Sequence, residues 1–230
     1  MDALRVLIWN LFHGRAVPGA RHDLLDEFGV TLGGWEWDVA LLQEVPPWWP
    51  PELARACDAG QRTVLTSRNA LPTLRRAIAV RLPDVIKSNG GGANAILVRS
   101  AFAQIGDHRH VQLRRRPERR VCHAVALGDG TWCANLHAEA HGANAPADVA
   151  RAAAATLTWA NGAPAVLGGD FNMRAPALPG WDDLGGHAVD HALGRGMAAT
   201  APIEILDGRP LSDHVPLIIS TQPRHPAQAG

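Results

Sequence analysis

Apolar residues in this chain fall into short runs that stop abruptly on a polar side chain. Leu4-Arg-Val-Leu-Ile-Trp-Asn10 is almost continuously apolar until it reaches an amide, and Asp38-Val-Ala-Leu-Leu-Gln-Glu44 until it reaches a carboxylate. Such short runs predict strands buried on both faces. Further strands are predicted over Thr63–Thr66, Ala95–Arg99, Ala103–Arg114, Arg120–Leu127, Thr131–His137, Ala165–Leu167, Val189–Leu193, Ile203–Leu206 and Val215–Ser220. Gly168-Gly169 is expected to end the Ala165 strand, ahead of Asp170 and Asn172. Spaced two residues apart at the mouth of a sheet, these two side chains can reach one small polar ligand.

Helical spacing of Leu24, Leu25, Phe28 and Leu32 predicts a helix over Arg21–Leu32, and a short one follows from Glu52 to Asp58. Ala145–Trp159 is the clearest helix, with Val149, Ala153 and Leu157 as its expected core stripe. The Arg-rich stretch Ser67–Lys87 is read as partly helical, and Thr221–Gly230 as a loose tail. Ser88-Asn-Gly-Gly-Gly-Ala-Asn94 lacks the Lys-Ser/Thr of a phosphate-binding P-loop and is read as a turn. Gly128-Asp129-Gly130 centres a hairpin within an antiparallel meander. That register sets Cys122 near Leu136 and Cys133 near Val125, so the two are not disulfide partners.

Composition narrows the field. The chain has 230 residues, 47% hydrophobic and 19% charged, which suits one globular domain over 1–230 with its core at about 3–220. Strands in meanders broken by helices imply an α/β (α+β) architecture of two packed sheets flanked by helices. Formal charge is zero, which excludes a global basic field for nucleic acid. Three cysteines are too few for a disulfide framework. No apolar run is long enough to cross a bilayer and no leader pattern opens the chain, so a cytoplasmic protein, monomeric, is expected.

The polar strand ends come in a telling order: Asn10, Gln43-Glu44, Asn135-Leu-His137, Asp170-Phe-Asn172, Asp190 and Ser212-Asp-His214. In this order and spacing they resemble the endonuclease/exonuclease/phosphatase superfamily, the DNase I-like fold. The resemblance implies a four-layer sandwich, two mostly antiparallel β-sheets packed face to face with helices outside. It also implies a divalent-metal-dependent phosphoester hydrolase, with Mg²⁺ expected and Mn²⁺ as a substitute. Mg²⁺ needs only one or two carboxylates, so Glu44 is the first-choice ligand. Asn10 would serve as a neutral oxygen ligand or phosphate contact, and Asp213 would reach the metal or its waters. By resemblance, Asp170 takes a proton from, or orients, the attacking water, and Asn172 holds the same water or a phosphate oxygen. His214 would face the phosphate, Asp190 would orient it, and His137 would donate to a phosphoryl oxygen or protonate the leaving group. Whether Asp170 or His214 is the base stays open at this point. Asn94, Asn135, Arg119 and Arg120 are expected to touch substrate.

Nucleic acid, DNA or RNA, is the leading substrate class, with Arg114-Arg-Arg-Pro-Glu-Arg-Arg120 as its grip or as a solvated loop. Abasic-site endonucleases of the superfamily usually carry Tyr at the place of His137, and this chain has no Tyr. Alternatives are a phosphatase or phosphodiesterase acting on a small molecule or a phospholipid headgroup, or a non-catalytic binding member. For a lipid enzyme, Pro46-Pro-Trp-Trp-Pro-Pro51 is the expected membrane-facing loop.

Overall fold

Two β-sheets lie face to face, and each contains one parallel strand pair joined by a crossover helix. The computed structural model describes residues 3–140 and 143–224. In chain order the elements are β1 (Leu4–Asn10), α1 (Leu25–Gly33), β2 (Val39–Val45), α2 (Pro50–Ala56), β3 (Ala59–Leu65), α3 (Pro72–Arg81), α4 (Pro83–Ile86), β4 (Ala93–Arg99) and β5 (Ile105–Arg114). There follow β6 (Arg120–Leu127), β7 (Trp132–His137), α5 (Ala145–Ala160), β8 (Ala165–Asp170), β9 (Asp182–His187), β10 (Asp190–Arg195), β11 (Met197–Ala199), β12 (Glu204–Ile205) and β13 (Leu217–Pro223). The first sheet runs β11-β13-β1-β2-β4-β3, with β12 also on β13, and the second runs β5-β6-β7-β8-β10-β9. Among the described residues only the β1–β2 and β7–β8 pairs are parallel.

Strand periodicity explains the layers. Val6 and Ile8 face Val166, Cys133 and Ala192 across the gap between the sheets. Leu7 and Trp9 point the other way, into a cluster with Phe28, Leu32 and Trp49. The second sheet buries Leu136 and Leu167 against Val149 and Ala153 of α5. With both faces covered, each central strand is apolar throughout. The result is the expected four-layer sandwich.

Several local expectations are corrected. Gly168 and Gly169 lie within β8 rather than ending it. A Cβ on Gly168 would meet Leu41 Cδ1 at 2.8 Å and Ile8 Cδ1 at 3.0 Å, so the glycine lets the sheets approach. On α5 the buried stripe is Val149, Ala152, Ala153 and Thr156, whereas Leu157 is exposed. β9, rich in glycine and aspartate, and the short β11 have no apolar run and were not expected. β13 continues to Pro223, three residues into the expected tail, and residues 225–230 of that tail lie outside the described residues. The cysteines are separately buried, with Cys122 opposite Leu136 and Cys133 opposite Val125 as the hairpin register requires. Among the described residues no helix is long and apolar enough to cross a membrane.

Candidate active site

Three strand ends in register carry the chemistry. His137 at the end of β7 pairs with Asp170 at the end of β8, and Asp170 pairs with Asp190 at the start of β10. Across the gap, β1 and β2 bring Asn10 and Glu44 to the same end of the sandwich. Glu44 is aimed by a bulge: between Leu42 and Val45 the β2–β4 register shifts, and Glu44 has φ +50°. The loop before β13 closes the end, because Ser212 Oγ donates to the Asn10 carbonyl (2.7 Å) and accepts from the His214 N–H (3.0 Å). The resulting open cleft of about 340 Å³ is lined by Asn10, Glu44, Arg120, His137, Asp170, Asn172, Asp213 and His214, among others.

His214 Nδ1 lies 2.8 Å from Asp190 Oδ2, and its Nε2 lies 3.9 Å from Asp170 Oδ2. Burial disfavours the imidazolium. The Asp190 hydrogen bond and the charges of Asp190, Asp170 and Asp213 outweigh it, so the His214 pKa is raised to about 9. Asp170 accepts hydrogen bonds from Asn10 Nδ2 (3.1 Å) and the Asn172 N–H (3.0 Å). Burial first, and then the Asp190 charge, raise its pKa to about 6.

His137 is buried with Nε2 3.4 Å from Asp170 Oδ2, and Arg120 Nη1 stands 3.0 Å from its ring nitrogens. One guanidinium N–H group cannot serve both nitrogens well. The consistent arrangement has Nδ1 accepting from Arg120 and Nε2–H turned to the carboxylate. Burial, and then the positive charges led by Arg120, hold the His137 pKa well below the usual range. A neutral His137 is a hydrogen-bond donor rather than the proton source for a leaving group.

Glu44 has its pKa raised to about 7 by burial, then by Asp170 and, less strongly, Asp213. A carboxylate pushed up by neighbouring carboxylates is what a small divalent cation relieves, so the acidic side of the cleft fits one. Asp170, Asp190 and His214 also bring donor atoms within 4.8 Å of one another. In that trio, however, His214 Nδ1 is already engaged with Asp190, which describes a hydrogen-bonded relay better than a ligand set.

The remaining expected site residues divide. Asp213 is exposed and lines the cleft, and Asn172 anchors its amide on the Ala138 carbonyl (3.0 Å). Asn10 lines the cleft, with its Oδ1 accepting from the Phe12 N–H (3.0 Å) and its Nδ2 donating to Asp170 (3.1 Å). Asn135 is corrected as a substrate contact. Fully buried between the sheets, it donates to the Leu42 and Ala95 carbonyls (both 2.9 Å) and accepts from Gln43 Nε2 (2.8 Å). Asn94 is likewise buried, donates to the Val121 carbonyl (3.1 Å) and does not line the cleft. Arg119 is exposed and outside the cleft, since strand alternation turns Arg120 in and its neighbour out.

Sequence reasoning missed His13, Arg15, Arg68 and Lys87, all cleft-lining. His13 Nε2 sits 3.1 Å from Glu44 Oε2. Burial, with Arg68, Arg15 and Arg120, lowers the His13 pKa to about 4, so the contact is a hydrogen bond from a neutral ring. His13 follows Asn10 closely, and that proximity was the available signal. Arg68 and Lys87 come from the stretch whose irregular composition concealed its place beside the cleft. Trp49, by contrast, is buried and Trp48 packs against the core, so Pro46–Pro51 is not a membrane-facing loop.

The chain belongs to the Endonuclease/Exonuclease/phosphatase family, whose sequence profile matches residues 7–214. Members of this family are divalent-metal dependent and mostly phosphoester hydrolases. Its fold resembles that of the endonuclease/exonuclease/phosphatase from Bacteroides vulgatus, at 13% identity over 97% of this chain and 100% of that one, with a TM-score of 0.72. It also resembles a mannosyl-6-phosphatase from Bacteroides thetaiotaomicron (16% identity, 95% and 99% covered, TM-score 0.69). TDP2 from C. elegans is similar too (15% identity, 95% and 74% covered, TM-score 0.65). At these identities the likeness concerns the fold. No curated protein matches the chain in sequence.

Proposed function

We propose that this protein is a divalent-metal-dependent phosphodiesterase in which Asp170 is the base and His214 the cationic donor. The observation that carries this reading is the place of His214 between two carboxylates, Nδ1 2.8 Å from Asp190 Oδ2 and Nε2 3.9 Å from Asp170 Oδ2. That arrangement raises the imidazole pKa to about 9 beside a carboxylate raised to about 6. Near neutral pH, Asp170 is ionised and able to take a proton from water, while His214 is charged and unable to. Asp190 keeps His214 in that state through Nδ1, leaving Nε2–H for a phosphoryl oxygen. His137, neutral and oriented by Arg120, turns its one N–H to the Asp170 carboxylate and helps to hold the base in place. Asn10 and the Asn172 N–H hold the Asp170 carboxylate in place.

Glu44, with Asp213 nearby, would hold Mg²⁺ or Mn²⁺, which when bound neutralises charge on the phosphoryl and leaving oxygens. Of the Arg114–Arg120 run, Arg114 pairs with Asp148, Arg120 turns into the cleft, and Arg115, Arg116 and Arg119 are exposed beside cleft-lining Glu118, so nucleic acid stays a substrate class of this reading.

Turnover of bis-p-nitrophenyl phosphate, p-nitrophenyl phosphate and plasmid DNA with Mg²⁺, Mn²⁺ or EDTA tests the reading. Diester hydrolysis that EDTA abolishes is expected. Mono-ester hydrolysis alone transfers the site to phosphatase chemistry like that named for the Bacteroides thetaiotaomicron neighbour. Hydrolysis indifferent to EDTA contradicts the proposal.

A further inference from the structure

We propose that α3 and the segment after it dock the protein on an anionic lipid surface, so that the cleft receives phosphoester headgroups from that surface. The inference rests on the hydrolase reading above and names its substrate class. Helix α3 has no buried residue. Leu74 (55% exposed), Ile78 (36%) and Val80 (38%) of α3, with Leu71 (68%) and Leu82 (53%) at its two caps and Val85 (72%) of α4, form an exposed apolar stripe along the segment. A run of exposed large apolar residues in a soluble protein marks a surface that meets something other than water. Here the inward contacts are already made by Ala79, Pro83 and Ile86, which share a small cavity with Trp48 and Trp49. The apolar stripe is therefore left over, facing water.

Charge identifies the occupant. Between residues 69 and 86 stand three cations (Arg75, Arg76, Arg81) and one anion (Asp84), a net of 3 − 1 = +2 in a chain whose total is zero; the flanking Arg68, paired with Glu118, and Lys87 line the cleft. Asp84 is occupied by the Arg21 N–H (2.8 Å) and by Arg15 (3.5 Å). Among the described residues neither Arg76 nor Arg81 pairs with a carboxylate. An apolar stripe beside unpaired arginines is the chemistry of a helix lying in an anionic bilayer interface. A nucleic-acid backbone would satisfy the cations and leave the leucines in water. The segment also runs directly into the site, because Lys87 and Ser88 line the cleft.

The test is flotation of the full chain with phosphatidylcholine vesicles, with and without phosphatidylserine, alongside turnover of bis-p-nitrophenyl phosphate. The wild type is expected to float with the anionic vesicles and to release from them at high salt. Leu74→Glu/Ile78→Glu and Arg76→Glu/Arg81→Glu should each weaken binding by about 10-fold or more while bis-p-nitrophenyl phosphate turnover and melting stay unchanged. Release of headgroup from vesicle-borne phospholipid should fall with binding. Flotation without hydrolysis of any phosphoester supports docking and removes the proposed chemistry. Diester hydrolysis without wild-type flotation, or flotation untouched by both double variants, overturns docking. So does a dimer that Leu74→Glu/Ile78→Glu dissociates in the absence of vesicle binding.

Discussion

Asp190 Oδ2 stands 2.8 Å from His214 Nδ1, and this contact sets the charge of the imidazole that faces the cleft. A pKa of about 9 against an ordinary 6.5 means that the stabilisation it brings is complete below 6.5 and fades as pH rises through about 9. Catalysis that needs His214 charged should show an alkaline limb near that pH. Asp190→Asn removes both the hydrogen bond and the charge, so the limb should move toward 6.5. At pH 8 the variant should be slower than wild type by about 30-fold, with a smaller deficit at pH 6. A pH–rate profile whose alkaline limb is unmoved in Asp190→Asn contradicts the role.

Asp170→Asn should remove about 10³-fold or more of turnover while the fold survives. The raised carboxylate is a burden on the fold, present above about pH 6 and absent below its ordinary 3.8. An amide relieves it but can accept only through one oxygen, losing one of the two hydrogen bonds from Asn10 and Asn172. These effects oppose each other. Melting at pH 7 in EDTA should therefore stay within about 3 °C of wild type, a span worth roughly 1 kcal/mol. Wild-type turnover at saturating Mg²⁺ would exclude Asp170 as the base.

Gly169 permits the close passage of β7 beside β8. It has φ +136°, and a Cβ there would run into the Leu136 carbonyl oxygen. Gly169→Ala should be destabilised by about 3 kcal/mol or more, read as the shift in urea midpoint, and should lose Asp170 geometry with it. An unchanged midpoint would mean that the strands have slack at this point.

Strands buried on both faces announce themselves, which is why β1, β2, β6 and β7 were legible within two residues. β9 was not, because Asp182–His187 holds only one buried apolar residue, Leu184, and glycines that carry no periodicity. At the cleft, Glu44, His137 and Asp170 were legible because each ends an apolar run, and His214 because it precedes one. The amide roles were not. Asn10, Asn94 and Asn135 also sit at strand ends or in buried strands, and nothing in the order of residues distinguishes an amide facing the cleft from one facing the opposite sheet. Cations from α3 and its flanks escaped notice because their place depends on a chain path that hydrophobic pattern does not encode.

Asn135 offers the sharpest separation of those two kinds of amide. Its side chain clasps the sheets together, with Nδ2 on the Leu42 and Ala95 carbonyls and Oδ1 on Gln43 Nε2. Asn135→Ala takes a side-chain donor from two buried carbonyls and one of its two acceptors from the Gln43 amide, which keeps the Leu41 carbonyl, at a cost of about 2–4 kcal/mol. Asn135→Asp should be worse, since a carboxylate can donate to neither carbonyl and would be charged in a dry interface. A residue touching substrate would instead raise KM at unchanged stability. The expected result is a lowered urea midpoint in both variants, with KM for bis-p-nitrophenyl phosphate held within about twofold below the unfolding transition. Raised KM with an intact midpoint would return Asn135 to the substrate side of the fold.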